Sequence, residues 1–143
     1  MKKSIINKKS LIKIAIDNLE NSYAPYSHYN VSAAVVMGSF RTYTGVNVEN
    51  ASYPAGICAE RNAIFSAINC GEKEILSIAI VGGREYSIKD YCVPCGICRQ
   101  VIREFCRPRN VDIIIAKSVD DFKVFTLDQL LPLSFGPSNL LNK

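Results

Sequence analysis

Tryptophan is absent and histidine occurs once, at His28, so any metal centre in this chain must be dominated by sulfur. His28 itself reads as a loop or surface residue. No apolar run approaches the roughly 18 residues that a membrane-spanning helix needs, and no membrane partner is expected. Lysines precede an apolar stretch that ends at Ile16, but Lys13 interrupts it and no small-residue cleavage site follows, so it is a poor secretory leader and a cytoplasmic location is expected. The net charge of +4 owes much to Lys2, Lys3, Lys8 and Lys9, and no long basic run is interleaved with aromatics. That excludes the usual footprint of a nucleic-acid partner. Neither a repeat nor a linker is visible. With 48% hydrophobic and 21% charged residues, residues 1–143 form one domain able to bury its own core without disulfides, with 1–9 and 138–143 loosely ordered.

What is present alternates between two periods. Leu11, Ile12, Ala15, Ile16 and Leu19 recur at helical spacing from Ser10, a candidate N-cap, to about Asn21. Val31 to Met37 and Phe40 to Val48 read as a hairpin about Gly38-Ser39. After a loop from Glu49 to Ile57, the spacing of Ala59, Ala63, Ile64, Ala67 and Ile68 predicts a second helix ending at Gly71. Ile75 to Val81 is a buried-type strand closed by Gly82-Gly83, and Cys95 to about Cys106 is helical and stopped by Pro108. Val111 to Ala116 and Phe122 to Phe125 are strands, and Leu127 to Leu131 is a short helix before the Pro132 to Pro137 tail. This order predicts an α/β fold, three-layer α/β/α with a central mixed five-stranded sheet, the first pair antiparallel and the later strands joined by helical crossovers.

Six cysteines in a reducing compartment point to metal or catalysis more than to disulfides. Cys58-Ala59-Glu60 and Pro94-Cys95-Gly96-Ile97-Cys98 place three thiols at the starts of two helices. Helix N-termini favour thiolates. Three protein ligands on zinc leave a position for water, whereas four make a structural site. Cys58, Cys95 and Cys98 are therefore the candidate ligands of one Zn2+ per subunit. Three thiolates leave a net negative charge, which a hydrogen bond from Arg61 or Arg99 to ligand sulfur would offset, Arg61 being favoured. Glu60 is hard to place as a ligand beside Cys58, and as a free carboxylate it is suited to moving protons. The bland alternative is a structural knuckle of Cys58, Cys92, Cys95 and Cys98, which leaves Glu60 unexplained. Cys70, Cys92 and Cys106 otherwise read as core cysteines.

The chain resembles the cytidine deaminases of the small, homotetrameric, zinc-dependent type. The resemblance runs from Tyr23-Ala24-Pro25-Tyr26-Ser27-His28-Tyr29 and Gly45-Val46-Asn47-Val48-Glu49-Asn50 through Ala51-Ser52-Tyr53-Pro54 to Gly56-Ile57-Cys58-Ala59-Glu60-Arg61. It continues in Pro94-Cys95-Gly96-Ile97-Cys98-Arg99-Gln100 and Leu130-Leu131-Pro132-Leu133-Ser134-Phe135-Gly136-Pro137. A Cys-x-Glu followed by Pro-Cys-x-x-Cys is the zinc-deaminase pattern. The resemblance implies hydrolytic deamination of cytidine and 2′-deoxycytidine to the uridines in pyrimidine salvage, with Glu60 catalytic. It implies that Asn47 and Glu49 hold the ribose, and that Tyr29, in place of a usual phenylalanine, packs on the pyrimidine. The Ala59 amide and backbone groups near Cys95 would meet the base and its amino group. Tyr53 and Phe135 would reach neighbouring subunits of a homotetramer. Val93 stands where a serine is usual.

Deamination of another aminopyrimidine nucleoside, such as blasticidin S, is opposed by the Asn-Val-Glu-Asn segment. Editing of a polynucleotide would need an open channel with a phosphate-binding surface. A zinc-stabilised binding protein without chemistry leaves Glu60 without a role.

Overall fold

In the computed structural model, which describes residues 5–141, five strands form one sheet in the order β2-β1-β3-β4-β5. They are β1 (Tyr29–Met37), β2 (Thr42–Val46), β3 (Ile75–Arg84), β4 (Asp112–Ala116) and β5 (Phe122–Phe125). β1 is antiparallel to both neighbours, β3 and β4 are parallel, and β5 returns antiparallel. Helices α2 (Ala59–Asn69) and α3 (Gly96–Glu104) connect β2 to β3 and β3 to β4, so the expected mixed sheet with helical crossovers is present. The remaining helices are α1 (Lys8–Asn18), α4 (Leu127–Leu130) and α5 (Pro137–Leu140).

The central strands are largely apolar because both faces of the sheet are covered, with Asn30, Ser32, Ser77 and Asp112 as buried polar or charged exceptions. Ala33, Val35, Ile78, Ile80 and Ile113 pack with Ala63, Ile64 and Ile102 of α2 and α3. The alternate residues Ala34, Val36, Ala79, Val81 and Ile114 pack with Leu11, Ile12 and Ala15 of α1. Each fully buried isoleucine or leucine contributes about 1.5–3 kcal/mol relative to exposure. On the α2 side one small residue sets the spacing. A Cβ on Gly45 of β2 would lie 2.3 Å from the Ala63 nitrogen and 2.6 Å from the Ala59 carbonyl, so the first turns of α2 rest directly on the strand.

Several boundaries differ from the sequence expectation. Asn7, not Ser10, caps α1: its side chain accepts from the Ser10 amide at 3.0 Å, and the helix begins one turn earlier. The hairpin turn is wider than Gly38-Ser39, since Phe40 takes a left-handed φ of 66° and β2 starts at Thr42. Gly82-Gly83 does not close β3; both glycines pair with β1, and the strand runs to Arg84. A Cβ on Gly83 would fall 1.9 Å from the Ser87 carbonyl, so glycine lets the chain fold back there. α3 ends at Glu104, before Pro108 can act, and the tail contains α5, with proline in its first turn. Of the ends expected to be loose, 1–4 and 142–143 lie outside the described residues, while the rest include the start of α1 and most of α5. Among the described residues no helix is long and apolar enough to cross a membrane.

Candidate active site

Two helix N-termini meet on the α2/α3 side of the sheet. Cys58 is the N-cap of α2 and Cys95 the N-cap of α3, while Cys98 lies on the first turn of α3 and is fully buried. The three sulfurs lie within 4.8 Å of one another, and Cys58 Sγ and Cys95 Sγ are 3.9 Å apart. A tetrahedral zinc with Zn–S bonds of about 2.3 Å places its sulfurs about 3.8 Å apart, so both the donor set and the spacing fit zinc. Among the described residues Cys92 is not part of this cluster, which removes the fourth ligand of a structural knuckle.

Arg61 Nη2 is 3.4 Å from Cys58 Sγ. Arg99 is committed elsewhere, its Nε donating to the Pro94 carbonyl at 2.8 Å and its Nη1 to the Leu130 carbonyl at 3.0 Å. The choice between the two arginines therefore falls on Arg61. The Cys58 thiol is held down to about 5, first by a hydrogen bond from the Cys98 thiol and then, against burial, by Arg61. Cys98, the donor of that bond and itself desolvated, is pushed up. A thiolate is thus already favoured at one ligand position. Glu60, on the first turn of α2, is only 4% exposed. Burial pushes its carboxyl up, against a hydrogen bond from Cys98, and the charge at Cys58 pushes it further up. A raised proton affinity suits a group that takes up a proton and later releases it.

Cys58 and Cys95 of this cluster line a cavity of about 610 Å³ that also exposes Ala59, Glu60, Asn47, Glu49 and Tyr53. That size is within the usual range for small-molecule sites. Asn47 Oδ1 accepts from the Val31 amide at 2.9 Å, and Asn47 Nδ2 donates to the Tyr29 carbonyl at 2.7 Å. Glu49 accepts from the amides of Tyr26 at 3.0 Å and Ser27 at 3.1 Å. Hydrogen bonding, led by the Ser27 side chain, holds its carboxyl below the usual range. Tyr53, 78% exposed, tilts against the Tyr26 ring at 6.1 Å between centroids.

Three expected site residues are not among those lining the cavity: the fully buried Cys98, Tyr29 and Phe135. Tyr29 opens β1 and lies near Cys92, which does line it; burial and the Cys92 thiol push the phenol up. Phe135 lies in the tail, 58% exposed, its carbonyl accepting from Gln100 Nε2 at 3.1 Å. Cys92 reads from sequence only as a knuckle ligand or a core cysteine, and the amides of Tyr26 and Ser27 were not foreseen, since amides carry no side-chain signature that could have revealed them. Of the cysteines expected in the core, Cys70 is exposed because it caps the C-terminus of α2, and Cys92 and Cys106 are half-buried. His28 is an exposed loop residue with a left-handed φ of 57°, as its position in the sequence suggested.

Residues 6–114 match the cytidine and deoxycytidylate deaminase zinc-binding region. The chain is 37% identical over 135 residues to the cytidine deaminase of Halalkalibacterium halodurans, covering 94% of this chain and 98% of that protein. The crystal structure of cytidine deaminase from Burkholderia pseudomallei superposes with a TM-score of 0.81 at 37% identity, covering 91% of this chain and all of that one. Cytidine deaminase from Mycobacterium tuberculosis gives a TM-score of 0.77 at 32% identity, with 92% and 99% covered.

Proposed function

The chain belongs to the cytidine and deoxycytidylate deaminase family, and from that premise we propose that it hydrolyses cytidine to uridine and ammonia, with Glu60 carrying the protons. The observation that carries this reading is a buried carboxyl beside a three-thiol metal cluster at the end of a nucleoside-sized cavity. Zinc held by Cys58, Cys95 and Cys98 would supply Lewis acidity that makes water nucleophilic near neutral pH.

The chain's own groups do the rest. Glu60, as a carboxylate, takes a proton from the attacking water and passes it to the ring nitrogen next to C4, then takes the second proton from the new C4 hydroxyl and delivers it to the departing amine. The C4–O bond forms, the C4–N bond breaks, and one water is consumed for each ammonia released. Arg61 stabilises the negative sulfur of Cys58. Asn47 and Glu49 hold the sugar hydroxyls, and the Ala59 amide meets the pyrimidine. Backbone groups near Cys95 face the leaving amino group, and Tyr29 packs on the base with Cys92 behind its hydroxyl.

2′-Deoxycytidine is a second substrate, and the reaction serves pyrimidine salvage in the cytoplasm. Residues 1–143 act as one catalytic domain. The exposure of Tyr53 and Phe135 supports a homotetramer in which these aromatics complete the sites of neighbouring copies.

Purified protein of known zinc content, incubated with cytidine, yields uridine and ammonia in equal amounts and leaves a cytosine-containing oligonucleotide unchanged. Light scattering gives a mass four times that of one chain. Zinc bound through the three cysteines with cytidine left intact would overturn the proposal.

A further inference from the structure

Asn47 is the last member of a hydrogen-bond chain that begins outside the cavity. The Tyr86 amide donates to Asn30 Oδ1 at 3.2 Å, which turns Asn30 Nδ2 towards Ser22 Oγ, 3.0 Å away. With that donor on its oxygen, the Ser22 hydroxyl directs its own proton to Asn47 Oδ1. The Tyr86 phenol braces the same segment by donating to the Ser22 carbonyl at 3.2 Å. Ser22 and Asn30 are 5% and 3% exposed, so reversing any link would set two buried donors or two buried acceptors face to face.

The direction of this chain decides what Asn47 offers a ligand. Its oxygen already accepts from both the Ser22 hydroxyl and the Val31 amide. One amide hydrogen goes to the Tyr29 carbonyl, which leaves the second N–H as the polar function to present to the cavity. Two residues on, Glu49 can only accept. A donor beside an acceptor suits a hydroxyl, which needs both.

We propose that Ser22 and Asn30 are positioning residues that lock Asn47 as a hydrogen-bond donor and so set the cavity's preference for a hydroxyl-bearing sugar. This rests on the reading of Asn47 and Glu49 as the sugar-binding pair. The trio accounts for two buried polar side chains that an α/β core would otherwise fill with apolar groups.

The test is steady-state kinetics of the zinc-loaded enzyme on cytidine and on 2′,3′-dideoxycytidine, which lacks the sugar-ring hydroxyls. Ser22→Ala raises KM for cytidine about tenfold with kcat little changed. Ser22→Thr, which keeps the hydroxyl, restores most of the affinity. Asn30→Asp keeps the shape but draws the Ser22 proton away from Asn47, and it reproduces the Ser22→Ala effect; it decides the matter should Ser22→Ala fail to fold. On dideoxycytidine the variants match the parent enzyme. A KM for cytidine unchanged in these variants, or one raised equally for both substrates, would overturn the proposal. If instead Asn47→Ala leaves the parent's discrimination between the two substrates intact, the sugar-binding reading of Asn47 is what fails.

Discussion

The two ends of the cavity are built differently. At the metal end Cys58, Glu60, Cys95 and Cys98 are spaced two and three residues apart on two helix starts, and each side chain is aimed by its own helix. At the other end, proposed above to hold the sugar, Asn47 and Glu49 lie on a loop and are aimed by residues 16 to 25 positions away: Val31, Ser27, Tyr26 and Ser22. The chemistry is placed by local spacing, and recognition by long-range hydrogen bonds. Substitutions at the first end should therefore abolish turnover or metal binding, whereas those at the second should grade the affinity.

The largest effect is expected at Cys98→Ser, which removes the most buried ligand: zinc per chain falls to near zero and uridine formation is lost, as metal analysis and an absorbance assay would show. Gly45→Ala forces α2 off β2 and should destabilise the fold by about 1–3 kcal/mol in urea titrations. Gly96→Ala makes the contrast sharp, because a Cβ there meets nothing within 4 Å and its urea midpoint should barely move. Arg61→Gln removes the hydrogen bond to the Cys58 sulfur and should weaken zinc binding about 10–100-fold in chelator competition, with Arg99→Gln changing it less.

The smallest effect belongs to pH at the sugar end. Hydrogen bonding lowers the Glu49 carboxyl below its ordinary 4.5, so it stays ionised in the folded protein at pH values where the unfolded chain would begin to protonate it. Its contribution to stability is present above the unfolded value and is lost only as pH falls through the lower folded one. KM for cytidine should accordingly stay flat from pH 7 to about pH 5. A KM that climbs over that range would show that Glu49 is not held in this way.

This contrast also explains what could be read from the sequence. The Cys-x-Glu and Cys-x-x-Cys spacings, the apolar strands and the order of elements were legible because each depends on neighbours along the chain. The cap at Asn7 competed locally with Ser10, and sequence offered two acceptable caps within one turn. The passage of β3 through Gly82-Gly83 depended on pairing with β1, which no local pattern encodes. The sequence favoured Arg61 over Arg99 without excluding Arg99, whose bond to the Leu130 carbonyl, 31 residues away, no local spacing reveals. The donor state of Asn47 depends on Ser22 and Asn30, two polar residues that look unremarkable in the sequence. Tyr53 and Phe135 are both exposed, yet only Tyr53 lines the cavity, a difference that no pattern beside either residue signals.

The central claim is that Glu60 moves protons and does not hold the fold, the metal or the substrate. The direct measurement compares Glu60→Gln with the parent protein at equal zinc content, following both cytidine binding and uridine formation. The account predicts that the variant binds cytidine with near-parental affinity while kcat falls at least about a hundredfold. Uridine formation at the parental rate by the zinc-loaded variant would contradict it.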